Sequence, residues 1–269
     1  MAKGGTTIDA AVQALCLAWP DTDVKRSHGA PTFRVRGRTF ANLAINHHGD
    51  GRVALWLAAP PGAQQHWTER EPDQYFVPPY VGPRGWLGVH LDRGLDWRQI
   101  VERVREAYLQ VAPPRLAAQL GPSPEIAAPD LGIDPALFDP LDTPRAREVL
   151  GKVRAFCLAL PEAREARQFG APCWQAGRRT FCVAHRYHGR MALQMRVGAE
   201  HQTQLTLDER FHIPDYVGHN GWISLDVEDG FWPEEVEQLI LVSYAHFALK
   251  RMLKALPDGL RARLPGEPR

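Results

Sequence analysis

Eleven histidines and four cysteines are the groups of this chain with most chemistry to offer. His47 and His48 are adjacent, so on an extended strand their side chains point to opposite faces and cannot share a metal. His185 and His188 stand three apart, which has the same consequence in a strand. The spacing therefore predicts ordinary surface or turn histidines and no metal site. Cys173 and Cys182 are a sharper case. If a hairpin turns at Gly177–Arg178, pairing runs Ala176–Arg179, Gln175–Thr180, Trp174–Phe181 and Cys173–Cys182, so the last two thiols face each other. They could cross-link, hold half a metal site, or pack as a reduced pair, the last being the expectation for a cytoplasmic protein. Cys16 and Cys157 fall on apolar helix faces and are expected in the core. The four serines, Ser27, Ser123, Ser224 and Ser243, stand in no G-x-S-x-G context. There is no G-x-x-x-x-G-K phosphate loop and no G-x-G-x-x-G after a strand. "GPRGWLG" (82–88) is glycine-rich, but Trp86 fills the space a phosphate would need, so it reads as a tight turn. No catalytic residue and no cofactor is expected.

Cations and aromatics are better placed for binding. "GAPTFRVRGRTF" (29–40) returns as "GAPCWQAGRRTF" (170–181), displaced by 141 positions. Read as a hairpin with a two-residue turn, the motif sets Phe33 against Phe40 and Trp174 against Phe181 as core aromatic pairs. Arg34 and Arg36 fall on the solvated face, and Arg38 and Arg179 at the tip, where an apolar stem packs while the guanidinium stays wet. With Arg178, Lys25 and Arg26 nearby, this is either a phosphate-contacting wing or a charged edge that discourages sheet-to-sheet aggregation. Trp56 sits where the second copy has Gln194, pointing away from Val53, Leu55 and Leu57. It could stack on an unpaired base or plug an interface. Tyr80, Trp86, Tyr216 and Trp222 recur in both copies and are expected to pack each turn on its sheet, or to border a cleft beside Arg84.

These residues need a scaffold, and the scaffold is also made twice. "VPPYVGPRGWL" (77–87) matches "IPDYVGHNGWI" (213–223) at an offset of 136, which holds through Tyr108 and Tyr244 to Leu120 and Leu256. Two homologous domains follow, residues 1–120 and 145–269. Between them, residues 121–144 carry six prolines and five acidic residues but no basic one. This is a stiff, extended linker, whose Leu131, Ile133, Leu137 and Phe138 could dock on a domain surface. Each copy opens with an amphipathic helix (Ile8, Val12, Leu15, Cys16 and Trp19; Val149, Val153, Cys157 and Leu160) that Pro20 or Pro161 ends. The hairpin follows, then a strand with Met191, Leu193, Met195 and Val197 on one face. After the Tyr-Val-Gly turn come a further strand and a main helix. That helix is announced by Asp96 with Gln99 in the first copy and by Pro233 in the second. The pattern is α+β, an antiparallel sheet packed on one side by helices.

"GAPTFRVRGRTFANL" followed by "VPPYVGPRGWLGVHL" and a tyrosine-bearing last helix resembles the MmcQ/YjbR-like family. The resemblance covers each repeat nearly end to end and makes the chain a tandem duplication. It implies a compact double-wing α+β fold labelled DNA-binding, and brings no enzymatic activity with it. The second copy departs from the pattern where Cys173-Trp174 and Gln175-Ala176 replace Thr32-Phe33 and Arg34-Val35, so the two hairpins need not bind alike.

Charge and hydropathy bound the partners. Net charge is +1, which sets up no global field. Residues 8–120 and 145–256 each sum to +2 (13 − 11 and 15 − 13) against −5 for the linker. No apolar run is long enough to span a bilayer and no signal peptide opens the chain, so a cytoplasmic protein is expected. The reading that follows is a non-catalytic tandem binding protein contacting DNA through Lys25, Arg26, Arg34, Arg36, Arg38, Arg84, Arg178 and Arg179. Duplication would raise avidity for an extended partner or let the two domains pair with each other. The alternative is a protein- or small-ligand-binding module using aromatic clefts at Trp56, Tyr80, Trp86, Tyr216 and Trp222, like the secretion-chaperone folds this layout resembles. The sequence leaves the oligomeric state open.

Overall fold

A computed structural model describes residues 5–27, 30–139, 141–187 and 190–264. The chain divides into two compact units, Met1–Phe138 and Asp139–Arg269. The first runs α1 (Ile8–Leu17), β1 (Thr22–Ser27), β2 (Ala30–Val35), β3 (Arg38–Ile45), β4 (Val53–Leu57), α2 (Ala63–Arg70), β5 (Tyr75–Phe76), β6 (Leu87–His90), α3 (Trp97–Val111), α4 (Pro114–Ala118) and α5 (Pro135–Phe138). The second repeats the plan with α6 (Pro144–Ala159), β7 (Ala163–Gln168), β8 (Ala171–Ala176), β9 (Arg179–Tyr187), β10 (Arg190–Arg196), α7 (Ala199–Leu205), β11 (Phe211–His212), β12 (Trp222–Asp226), α8 (Pro233–Phe247), α9 (Lys250–Lys254) and α10 (Asp258–Arg261). Each unit is an α+β domain with a six-stranded antiparallel sheet, ordered β1-β2-β3-β4-β6-β5 and β7-β8-β9-β10-β12-β11.

The alternation read from sequence builds these cores. Met191, Leu193, Met195 and Val197 project from β10 into one cluster with Val149, Val153 and Cys157 of α6 and Val236, Leu239, Ile240 and Tyr244 of α8. The first domain does the same with Val53, Leu55, Leu57, Leu15 and Tyr108. Asp96 caps α3 by accepting from the Arg98 amide at 2.8 Å, and Pro233 occupies the first turn of α8. The last long helix of each domain is tied to the corner after the first helix by a tyrosine. The Tyr108 hydroxyl donates to the Pro20 carbonyl at 3.0 Å, and the Tyr244 hydroxyl to that of Pro161 at 2.8 Å.

The hairpins turn where expected, with Arg36 and Gly37 both at positive φ (50° and 78°), as a two-residue hairpin turn demands. Beyond the turn the register differs from the simple ladder. A bulge between Phe33 and Arg34, repeated between Trp174 and Gln175, shifts the pairing by one residue. Phe33 therefore faces Ala41 rather than Phe40, and Trp174 faces Cys182 rather than Phe181. All four aromatic side chains are still fully buried. Cys173 now opposes Val183, so it does not oppose Cys182, which joins Cys157 in the core cluster. All four thiols are free and buried. Burial pushes the Cys157 thiol up, helped by its hydrogen bond with Cys182.

Residues 121–138 lie on the first domain. The Trp97 indole N–H donates to the Ile126 carbonyl at 2.9 Å, the Thr6 amide to the Asp130 carboxylate at 2.5 Å, and the Asn46 side chain to the Phe138 carbonyl at 2.9 Å. Ile126, Ile133 and Phe138 pack on its core. Leu131 and Leu137, expected to dock with them, stay 49% and 37% exposed. Among the described residues, no helix is long and apolar enough to cross a membrane.

Candidate functional site

The Tyr-Val-Gly motif makes the same turn in each domain. Gly82–Arg84 and Gly218–Asn220 form one turn of 3-10 helix, closed by Gly85 or Gly221 in the left-handed region. Gly82 and Gly218 are there because nothing larger fits. A Cβ would come within 2.5 Å of Val77 in the first domain and 2.4 Å of Ile213 in the second. The turn is clamped by a short helix the sequence reading missed. Gln64 of α2 donates its side-chain amide to the Gly82 carbonyl at 2.9 Å and the Trp86 carbonyl at 2.5 Å. Gln202 of α7 does the same to Gly218 and Trp222, both at 2.7 Å. The signal was a recurring pair at an offset of 138: Gln64 with Thr68 and Gln202 with Thr206, each threonine back-bonding the glutamine carbonyl at 2.9 Å. It falls between the offsets of 141 and 136 that frame the repeats.

In the second domain this clamped turn forms one wall of a cleft of about 520 Å³. Arg196 at the end of β10, His219 and Asn220 on the turn, Trp222 at the start of β12, and His246 with Phe247 at the end of α8 line it. Trp222 and Phe247 meet with ring centroids 5.9 Å apart. Ser243 fixes the Arg196 backbone: its buried hydroxyl accepts from the Arg196 amide at 2.9 Å and donates to the Phe181 carbonyl at 2.6 Å. Arg196 and Arg179 both act on His246. Partial shielding from water, then the positive charges of Arg196 and Arg179, hold its imidazole below the usual histidine range. Neither arginine is ion-paired with a carboxylate among the described residues. An open cleft with the Arg196 guanidinium beside the tilted Trp222 and Phe247 rings can hold an anion with an aromatic or otherwise planar body.

The cleft holds one predicted residue of the aromatic turn (Trp222), lies within electrostatic reach of one of the basic tip (Arg179), and adds two that went unread, Arg196 and His246. Neither could be found by comparing the repeats, because the first domain has Ala58 and Gln110 at those positions. The other expected residues scatter. Arg34 pairs with Asp23 at 2.7 Å and Arg36 with Asp21 at 2.6 Å, exposed pairs of the kind that hold weakly. Lys25 and Arg26 lie exposed on the edge strand β1, and Arg38, Arg84, Arg178 and Arg179 are exposed as well. Trp56 is only 7% exposed, with the His47 ring edge-on to it at 4.8 Å. It has no open face on which a base could stack. Tyr80 and Tyr216 do not pack on their sheets. They are 66% and 78% exposed, each at positive φ (63° and 65°), a conformation that disfavours a bulky side chain. Trp86 and Trp222 are half-buried beneath the turn.

The histidines lie differently from the strand picture. His47 and His48 sit in a 3-10 turn with ring centroids 3.9 Å apart, beside Tyr80. His188 lies outside the described residues. Among the described residues, no three His, Cys, Asp or Glu side chains stand close enough together to hold a metal. The Ser224 hydroxyl lies 3.4 Å from His185 Nε2, and burial pushes the His185 imidazole down to about 4. Ser224 is itself fully buried, so a substrate cannot reach it and the pair reads as packing of the sheet.

Comparison with known proteins fits this architecture. A family model, YjbR, matches residues 17–110 and again residues 158–246. Among solved structures, the crystal structure of Deinococcus radiodurans protein DR2400, a DUF419 domain, is similar over 43% of this chain and 88% of that one, at 17% identity and a TM-score of 0.34. No curated protein matches. The chain belongs to the YjbR family, whose domain it carries twice.

Proposed function

We propose that this is a binding protein without catalytic activity, and that its working site is the cleft of the second domain. Its ligand is a small anion, phosphate- or carboxylate-bearing, with a flat apolar part. The observation that carries this reading is the cleft that brings Arg196 and His246 to Trp222 and Phe247, with Arg179 near enough to act on His246 and neither guanidinium ion-paired among the described residues. Arginine recognises phosphate and carboxylate through paired N–H donors, and the Trp222–Phe247 wall accepts a planar group. Titration of the full chain with a nucleoside monophosphate, followed by tryptophan fluorescence, tests it. Saturable binding is expected. Removing one charge-assisted contact is worth roughly 1.5–3 kcal/mol, so Arg196→Ala should weaken binding by about ten- to a hundredfold. Unchanged affinity in Arg196→Ala and Arg179→Ala would sink the assignment.

A second reading keeps DNA on the hairpin tips. It is supported by Arg38, Arg178 and Arg179, which are exposed and form no ion pair among the described residues. It differs in its readout. Anisotropy of labelled single-stranded DNA would show salt-dependent binding whose slope falls by about one per phosphate contact removed in Arg38→Ala and Arg178→Ala, with Arg196→Ala neutral.

A further inference from the structure

The first helix and the main helix of each domain lie side by side, and the two domains treat the groove between them differently. In the first domain, residues 123–133 roof the start of α1 and α3. Ser123 donates to Glu102 at 2.8 Å, Trp97 to the Ile126 carbonyl at 2.9 Å, and the Ile8 amide to the Gly132 carbonyl at 3.4 Å. Ile126 and Ile133, seven residues apart, are the aliphatic anchors that pack on the core beneath. In the second domain no described residue roofs the matching groove between α6 and α8, although Arg263 bonds Gln238 further along α8. The groove encloses about 320 Å³ lined by Val153, Phe156, Phe231, Val236 and Ile240, with Lys152 on its rim and Glu237, which pairs with Arg263 at 3.4 Å, across from it. Val153, Val236 and Ile240 correspond to Val12, Ile100 and Val104 of the first domain.

We infer that this groove is a docking site for an extended peptide of a partner protein, with two aliphatic anchors about seven residues apart and acidic residues between or beside them. The first domain supplies the pattern, since its own occupant is such a segment, carrying Glu125 and Asp130 and no cation. The rim supplies one weakly held cation, Glu237 being already paired with Arg263. Where the first domain has Ala11, the second has Lys152, whose ammonium lies 5.7 Å from the Phe231 ring centroid and whose ion pair with Glu148 is exposed on both sides. Exposed pairs of this kind hold weakly, so an incoming carboxylate can take the lysine. The extended, proline-rich form keeps the ordering cost of such a peptide low.

The probe is a fluorescein-labelled synthetic peptide with the sequence of residues 121–138, added to the full chain. Saturable polarisation is expected, with backbone amide shifts confined to α6 and α8. Phe156→Asp should weaken binding at least tenfold. Lys152→Glu, an exposed change that leaves the fold intact, should weaken it severalfold. A peptide with Glu125 and Asp130 exchanged for lysine should bind Lys152→Glu better than the unchanged protein. No saturation at millimolar peptide, shifts on α1 and α3 instead, or insensitivity to both substitutions would overturn the inference.

Discussion

Replacing Tyr244 by phenylalanine removes one hydroxyl and leaves everything else in place. The ring is buried, edge-on to Phe181 at 5.4 Å, and the phenylalanine keeps that contact. What is lost is the hydrogen bond to the Pro161 carbonyl, worth about 1 kcal/mol net, with a further fraction because the half-buried carbonyl is only partly resolvated. At about pH 8 the variant should therefore be less stable by about 1–2 kcal/mol. The pH dependence is the sharper part. Burial, then the nearby Glu162 charge, pushes the Tyr244 hydroxyl from 10 up to about 12. The folded state thus holds this proton more tightly than the unfolded chain does. Its contribution is complete below pH 10 and is lost as pH rises from 10 towards 12; the bare shift corresponds to roughly 2–3 kcal/mol, which solvent screening reduces to about 1–2 kcal/mol. Phenylalanine has no proton to lose, so the gap between the two proteins should narrow by about 0.5–1 kcal/mol by about pH 11. Urea midpoints of both proteins at about pH 8, 10 and 11, at matched m-values, measure it. A gap that stays constant or widens with pH would refute the burial argument. A gap near zero at pH 8 would refute the hydrogen bond.

Two further outcomes follow from the cleft. Ser243→Ala leaves the Arg196 amide and the Phe181 carbonyl without their shared buried partner. It should lower stability by roughly 2–4 kcal/mol, seen as an earlier urea midpoint, and weaken anion binding through Arg196 while leaving the direct contacts chemically intact. His246 is held below the usual range by shielding and by Arg196 and Arg179. A bound anion offsets those two charges and favours the imidazolium, so binding should take up a proton and strengthen as pH falls through the histidine range. Calorimetry in two buffers of different ionisation enthalpy reads that uptake directly, and His246→Gln should abolish it.

The architecture was legible because the chain states it twice. A single strand such as "MALQMRV" is an ambiguous apolar run. The same alternation at matching distance from a hairpin and a capped helix is not ambiguous, and four strands of each sheet and the helix faces follow, while the outer strands β1, β5, β7 and β11 went unread. What escaped was whatever breaks a period by one residue. The bulges at Phe33 and Trp174 leave no mark in composition, yet they move Cys182 away from Cys173 and into contact with Cys157. The short α2 and α7 carry little apolar patterning, and their business is a polar clamp, so a search for hydrophobic faces passes over them. The candidate site was half visible for a related reason. Trp222 and Arg179 repeat and drew notice. Arg196 and His246 occur once, and only the fold brings β10 and the end of α8 to the same turn.

The proposed site rests on that asymmetry. The elements shared by both domains are structural in each. The tyrosine tie to the first corner, the glutamine clamp and the glycine pressed against Val77 or Ile213 are needed to make the fold at all, so their recurrence reports architecture rather than activity. The differences are spread around the same turn. At the positions of Arg196, His246 and Gln194 the first domain has Ala58, Gln110 and Trp56, and Trp56 is buried against His47. One copy has kept a basic, aromatic cleft and a helical groove that no described residue roofs. In the other, neutral residues stand at two of the cleft's charged positions, and its own proline-rich segment roofs the groove. Duplication freed each copy from having to satisfy both demands. A chain that needed two equal binding surfaces would have kept the cations in both. Here Arg196 and His246 occur in the second domain alone, while Arg84 of the first stands where the second has Asn220, so the two turns carry different charges and the proposed ligand belongs to the second.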